Sequence, residues 1–106
     1  MEKRIEEKRI ELQKFLEDIL GSREVYFQPP ENLKMNYPAI VYNVDDLAKN
    51  YADNSTYTRT VGYSLTVIDY DPDSEIFHKI SELPMCSFDR SFRSDDLNHY
   101  VFTLYF

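Results

Sequence analysis

The alternation of apolar and polar positions is clearest between Tyr57 and Tyr70. Apart from Arg59, one parity of this run is apolar and the other is rich in hydroxyl groups: Tyr57, Val61, Tyr63, Leu65 and Val67 alternate with Thr58, Thr60, Gly62, Ser64 and Thr66. Because successive side chains of a strand point to opposite faces, the run predicts a strand with one face on the core. Its Val, Tyr and Thr residues suit a pleated, half-buried surface. We expect it to be the central strand of an antiparallel sheet.

Two other segments have the spacing of amphipathic helices. The first runs from about residue 3 to residue 20 and stops at Gly21, the expected residue after a helix end. The second covers about residues 72–83, with Asp71 as the predicted N-cap and Pro72 as the first helical residue. Their apolar stripes are Leu12, Phe15, Leu16, Ile19 and Leu20, with Ile5 on the same side, and Ile76, Phe77, Ile80 and Leu83. Each stripe predicts a helix that docks on the sheet.

Four more strands are predicted around these elements. They cover residues 25–27, 38–44, 86–92 and 97–106, and residues 93–96 form the turn of a hairpin between the last two. Pro29 and Pro30 end the first of them, because proline cannot donate to a ladder of hydrogen bonds. Residues 45–55 read as a polar loop before the long strand, and long loops in compact domains are often functional.

The order of elements is therefore α-β-β-β-α-β-β. This order predicts an α+β fold, with a mostly antiparallel sheet of about five strands and both helices packed on one face. A chain of 106 residues forms one domain, covering residues 1–106.

A charged lead-in occupies residues 1–11. Residues 2–6 and 7–11 repeat the pentapeptide E-K-R-I-E, and five residues of a helix rotate by about 140°, so the two isoleucines do not share a face. The repeat therefore does not build a repeat fold. Two interpretations stay open: a solvated, fraying helix end, or an arm that projects and contacts a partner.

Composition narrows the classes of function. The net charge of −7 argues against a general nucleic-acid binder, since phosphate contacts need a concentration of Lys and Arg. The single cysteine, Cys86, forms no internal disulfide, and no segment has the apolar length of a membrane span or the apolar core of a signal peptide. We expect a soluble cytosolic protein.

Aromatic residues make up 15% of the chain, without Trp, and serve either a contact surface or the packing of both sheet faces.

One acidic series has the spacing that opens a calcium loop. Asp69, Asp71 and Asp73 match positions 1, 3 and 5 of such a loop, but Ser74 stands where the turn needs Gly and Ile80 where the loop needs Glu. A helix N-terminus explains these residues better.

Other candidate chemistry has similarly weak support. Cys86, His78 and His99 lie in no motif of a thiol enzyme and lack the paired spacing of a zinc site. With only two glycines the chain has no phosphate-cradling loop. Asp45, Asp46 and Asp53 could join Asp69 in a nuclease-like cluster, but their turn-forming neighbours favour a solvated loop. The residues thus predict no enzyme, no cofactor and no metal.

From about residue 12 to its end, the chain resembles the tail-completion proteins of long-tailed bacteriophages, the tail terminator and head–tail joining group. The segments that carry the resemblance are F-L-E-D-I-L-G, V-Y-F-Q-P-P, M-N-Y-P-A-I-V-Y, Y-S-L-T-V-I-D-Y-D-P-D-S, L-P-M-C-S-F-D-R-S-F and L-N-H-Y-V-F-T-L-Y-F. Length and element order agree as well, whereas the duplicated lead-in is not part of the resemblance.

The resemblance implies a structural role in the virion. Proteins of this group form rings, commonly hexamers, that cap the tail tube and face the head connector. It implies as partners other copies of the chain, the tail-tube protein and the connector. The charge and the lack of an apolar span, discussed above, argue against nucleic acid and membrane as partners. The location would be the bacterial cytoplasm during assembly and then the virion tail.

We expect the contacts to lie in the loop 45–55 and the last hairpin turn, at Asp45, Asp46, Leu47, Tyr51, Asp53, Arg93 and Asp95. Two alternatives remain: a monomeric adaptor that binds one host or phage protein, and a metal-dependent hydrolase that uses the Asp-rich segments.

Overall fold

The protein has an α+β fold, as the element order predicts. The computed structural model describes residues 5–47 and 61–106. In chain order the elements are α1 (Ile5–Leu20), β1 (Val25–Phe27), β2 (Ala39–Leu47), β3 (Val61–Asp69), α2 (Glu75–Ser81), β4 (Cys86–Ser94) and β5 (Leu97–Tyr105). They build one five-stranded sheet in the order β1-β2-β3-β5-β4. β1 is parallel to β2 and the other neighbours are antiparallel, so the sheet is mixed.

β3 lies at the centre of the sheet, between β2 and β5, and its alternation is confirmed. Val61, Tyr63, Leu65 and Val67 are buried in the hydrophobic core, whereas the Ser64 and Thr66 side chains are half-buried on the other face. The first residues of the predicted strand, 57–60, lie outside the described part of the chain.

Both helices pack on the face of the sheet that carries the core. We call this face the helix side and the opposite one the second face. Leu12 and Leu16 of α1 and Ile76 and Ile80 of α2 join the core cluster with the apolar residues of β2, β3 and β5. Phe15, which the apolar stripe of α1 includes, is 40% exposed and lies at the margin of the contact.

The start of α2 differs from the prediction. Its N-cap is Ser74, whose side chain accepts a hydrogen bond from the N–H of Phe77 at 3.2 Å. Asp71, predicted as the cap, instead accepts from the N–H of Asp73 at 2.9 Å, and Asp69 accepts from the N–H of Asp71 at 3.0 Å. Aspartate side chains that bond to the backbone two residues later form turns that compete with helix, so the helix begins later.

Two strands extend further than predicted. β2 continues to Leu47 through an irregularity between Val44 and Asp46, so 45–47 are strand residues rather than the start of a loop. β4 continues to Ser94, and the hairpin turn is reduced to Asp95 and Asp96. Their φ angles of 54° and 64° are those of the two-residue turn whose twist matches a hairpin.

Candidate protein-interaction surface

The predicted contact residues that the structure describes, Asp45, Asp46 and Leu47 on the one hand and Arg93 and Asp95 on the other, lie at opposite ends of the sheet. Leu47 pairs with Val61, the first residue of β3, whereas Arg93 pairs with Asn98, which in turn pairs with Asp69 at the far end of β3. β3 has nine residues, so these ends are roughly 27 Å apart at about 3.4 Å per residue. The structure therefore does not bring the two groups into one site.

The individual residues of these groups lie in different structural environments. Asp45 is exposed at the irregularity of β2, and Asp46 and Leu47 follow it in the strand. Tyr51 and Asp53 lie outside the described residues. Arg93 makes a loose ion pair with Asp96, 3.8 Å from nitrogen to oxygen, and Asp95 is exposed in the turn. Such an exposed pair contributes little to stability.

Two of the acidic side chains before α2 are engaged in local hydrogen bonds. As described above, the carboxylates of Asp69 and Asp71 cap the backbone of the residues that follow them. Within residues 5–47 and 61–106 no group of three or more His, Cys, Asp or Glu side chains is placed to hold a metal ion.

The thiol of Cys86 and the imidazole of His99 lie on opposite faces of the sheet. Cys86 pairs with Leu104 and packs against the core on the helix side, whereas His99 pairs with Ile68 and lies on the second face. His78 is exposed on α2. Burial, with a smaller contribution from the negative charge of Asp89, raises the pKa of the Cys86 thiol above its usual value. A raised pKa leaves less thiolate, the form that a nucleophilic cysteine needs.

β4 presents an exposed surface that is available for contacts. It pairs with β5 on one side and forms an edge of the sheet, and all its residues from 87 to 94 are exposed. Phe88 and Phe92 are 47% and 45% exposed, and Met85, just before the strand, is 67% exposed. A long edge strand with exposed rings is a template for pairing with another chain.

A bulge in β4 determines where its side chains point. The pairing with β5 shifts between Phe88 and Arg90, so Asp89 is an extra residue. Phe88 pairs with Phe102 and contacts the ring of Phe77 at 5.4 Å, which places it on the helix side. Asp89 lies on the second face, because its carboxylate accepts a hydrogen bond from Thr103 Oγ1 at 2.7 Å.

Beyond the bulge the alternation is reversed. Arg90 pairs with Val101 and Phe92 pairs with His99, both on the second face. The Phe92 ring stacks on the His99 ring, with centroids 4.6 Å apart and 13° between their planes, and the Arg90 guanidinium lies 5.9 Å from the Phe92 centroid. Strict alternation from the sequence would place Phe88 and Phe92 on one face, so sequence reasoning missed this arrangement. A bulge has no signal in composition.

The other edge of the sheet, β1, has only three residues. The segment 28–38 must run back along it, because β1 and β2 are parallel neighbours. This return segment is joined to the strand through Glu24, the residue before β1: the N–H of Asn36 donates to Glu24 Oε1 at 3.4 Å, and the Tyr26 hydroxyl of β1 donates to the same carboxylate. β4 is thus the longer and more open edge.

Comparison with known proteins adds no relative. Neither a family model, nor a curated protein, nor a solved structure matches the chain. Within the described residues, no helix combines the length and apolarity needed to cross a membrane.

Proposed function

We propose that the chain is a structural protein of a long-tailed bacteriophage or prophage, of the tail-completion and head–tail joining class. It acts without catalysis, by self-association into a ring and by docking onto tail-tube and connector proteins. This role follows from the resemblance of the segments quoted above, and the observed element order α-β-β-β-α-β-β agrees with it.

The β4–β5 hairpin supports the proposal most, because its strand β4 is exposed. Its outer strand presents aromatic rings and arginines to solvent, and aromatic residues and Arg are enriched in protein interfaces. A ring needs a head-to-tail contact that closes, and so a second, complementary surface on the same chain. The negative net charge keeps free subunits soluble before they assemble.

Mass measurement tests the ring. The purified full-length chain is examined by native mass spectrometry and negative-stain microscopy, alone and after co-expression with the tail-tube and connector proteins of the phage or prophage that encodes it. We expect annular particles whose mass is an integral multiple of 12.7 kDa. A chain that stays monomeric throughout and joins neither protein contradicts the proposal.

A stable complex of one chain with one partner molecule, without a ring, would identify the protein as a monomeric adaptor instead. The open edge of β4 suits that role as well, since extended peptides add to such edges. Binding stoichiometry in the same native mass spectra separates the two roles.

A further inference from the structure

We propose that two copies of the chain associate through their β4 edges, around a two-fold axis that passes between Asp89 and Arg90. The two sheets then form one continuous sheet of ten strands, in which β4 of one copy runs antiparallel to β4 of the other. Such a contact is self-complementary and closes on itself.

The bulge selects the register of this pairing. Residues that face each other in an antiparallel pair lie on the same side of the sheet. In β4 the helix-side residues are Cys86, Phe88, Ser91 and Arg93, and the second-face residues are Ser87, Asp89, Arg90, Phe92 and Ser94. Asp89 and Arg90 lie on the same face and together take the place of one residue in the alternation of sides. A two-fold axis at the bulge therefore places these two residues opposite the same two residues of the second copy.

With the axis between Asp89 and Arg90, every facing pair from residue 86 to residue 93 lies on one side. Phe88 faces Ser91 of the second copy, Ser87 faces its Phe92, and Cys86 faces its Arg93. Moving the axis by one step places a helix-side residue opposite a second-face residue. When the axis is placed near either end of β4, facing residues lie on the same side of the sheet over a stretch of five residues or fewer.

The same register pairs opposite charges twice. Asp89 faces Arg90 of the second copy, and Arg90 faces its Asp89, both on the second face. Both residues are exposed in the single chain, and the second carboxylate oxygen of Asp89 can accept from Arg90 of the second copy while Oδ2 keeps its bond from Thr103. Opposite charges that face each other across two strands stabilise the pairing, and like charges destabilise it.

The sizes of the facing side chains are compatible as well. Each large ring faces a serine, Phe88 on the helix side and Phe92 on the second face, so the half-exposed rings can cover the new seam without steric conflict. The contact therefore removes apolar surface from water, in addition to pairing the backbone groups of the edge.

This contact is separate from the head-to-tail contact of a ring, because a two-fold contact uses the same patch on both subunits. The dimer can therefore fail while the ring forms, and the ring can fail while the dimer forms.

Charge reversal tests the dimer. Sedimentation velocity compares the full-length chain with Asp89→Arg, Arg90→Asp and the double variant, over about 1–300 µM. We expect each single reversal to raise the dimer dissociation constant at least about tenfold, since like charges then face each other twice. The double reversal restores complementarity and returns the constant to within about threefold of the original. A monomeric parent chain, or a double variant as weak as the singles, overturns the proposal.

The matched design separates pairing from folding. Asp89→Arg removes the hydrogen bond from Thr103 in both the single and the double variant, so loss of that bond cannot produce the rescue. Thermal unfolding of all four proteins, followed by circular dichroism, verifies that each is folded under the conditions of the comparison.

A cysteine at position 93 tests the register. In the proposed pairing Arg93→Cys places a thiol opposite the native Cys86 of the second copy, and facing Cα atoms of antiparallel strands are within disulfide range. Within one chain the two positions are seven residues apart along an extended strand and cannot meet. We expect a covalent dimer after mild oxidation, on a non-reducing gel. The control Ser94→Cys points to the other face and gives none, and equal yields from both variants overturn the register.

Discussion

The hydroxyl of Tyr42 donates a hydrogen bond of 2.6 Å to Gln13 Oε1, and so joins the middle of β2 to α1 across 29 positions of sequence. The Tyr42 side chain is fully buried, and its ring contacts those of Phe27 and Tyr63. Gln13 also donates to the carbonyl of Val25 at 2.9 Å. Gln13 therefore connects α1 to both β1 and β2, and Arg9 Nη1 adds a second polar link by donating to the Tyr42 hydroxyl at 3.4 Å.

Replacing Tyr42 by Phe tests how much this hydrogen-bonded connection contributes to the free energy of unfolding. Loss of the hydroxyl leaves Gln13 Oε1 without its donor from Tyr42, in a partly buried place. We expect the free energy of unfolding to fall by about 1–2 kcal/mol, as measured by urea denaturation. Tyr105→Phe, at a side chain that is 39% exposed, is the matched control and changes stability by less than about 0.5 kcal/mol. Equal effects of the two changes would contradict the assignment.

The buried tyrosines predict how stability depends on pH. Burial raises the pKa of Tyr42 and of Tyr63 above the usual value, and the positive charge of Arg9 partly opposes this in both. The unfolded chain therefore releases these protons first, at about pH 10. The two protonated tyrosines therefore contribute their full stability to the folded chain below that pH. This contribution is lost as the pH rises toward their pKa values in the folded chain.

Urea denaturation at pH 8, 9, 10 and 11 measures this loss. We expect the free energy of unfolding to decline above about pH 9.5, and to decline less steeply in Tyr63→Phe. Leu65→Val, a destabilising change at a buried residue without a titrating group, is the control and keeps the original slope. If Tyr63→Phe and Leu65→Val decline in parallel, Tyr63 is not a source of the pH dependence.

The cap of α2 gives a prediction that separates two neighbouring residues. Ser74 is 2% exposed and holds the N–H of Phe77, whereas Asp71 lies in an exposed turn before the helix. We expect Ser74→Ala to lower the free energy of unfolding by about 1 kcal/mol, because it removes the acceptor at the helix start. Asp71→Ala removes one exposed turn bond and costs less. Thermal unfolding of both variants compares them, and a larger loss for Asp71→Ala would return the cap to the position that the sequence predicted.

The parts of the fold that depend on local patterns could be predicted from the sequence. The apolar parity of β3 and the stripe of α2 were visible because alternation and helical spacing need no knowledge of neighbours. The direction of β1 was not visible, since three residues do not show which way a strand pairs. Asp71 and Ser74 are both good caps, and the choice between them depends on the turn that starts at Asp69.

The interaction surface was only partly predictable for a similar reason. Arg93 and Asp95 were predictable because residues between two apolar runs are expected to be exposed, although Arg93 lies in β4 and only Asp95 lies in the turn. Phe88 and Phe92 were not, because a bulge adds one residue without changing composition, and it reverses every side chain that follows. Sequence thus indicated the hairpin, and only the pairing of β4 with β5 showed which of its side chains share a face.

The hairpin turn supplies the last prediction. Asp95 and Asp96 both have positive φ, of 54° and 64°, a conformation that glycine adopts without the steric cost of a Cβ atom. We expect Asp96→Gly to raise the free energy of unfolding by about 0.5–1 kcal/mol, because Asp-Gly is a preferred pair in such turns and the lost ion pair with Arg93 is exposed and weak. Glu82→Gly is the control: that residue follows α2 at φ −90°, where glycine brings no relief, and it leaves stability unchanged or lower. Urea denaturation at pH 7 compares the two, and a loss of stability in Asp96→Gly would show that the aspartate side chain holds the turn.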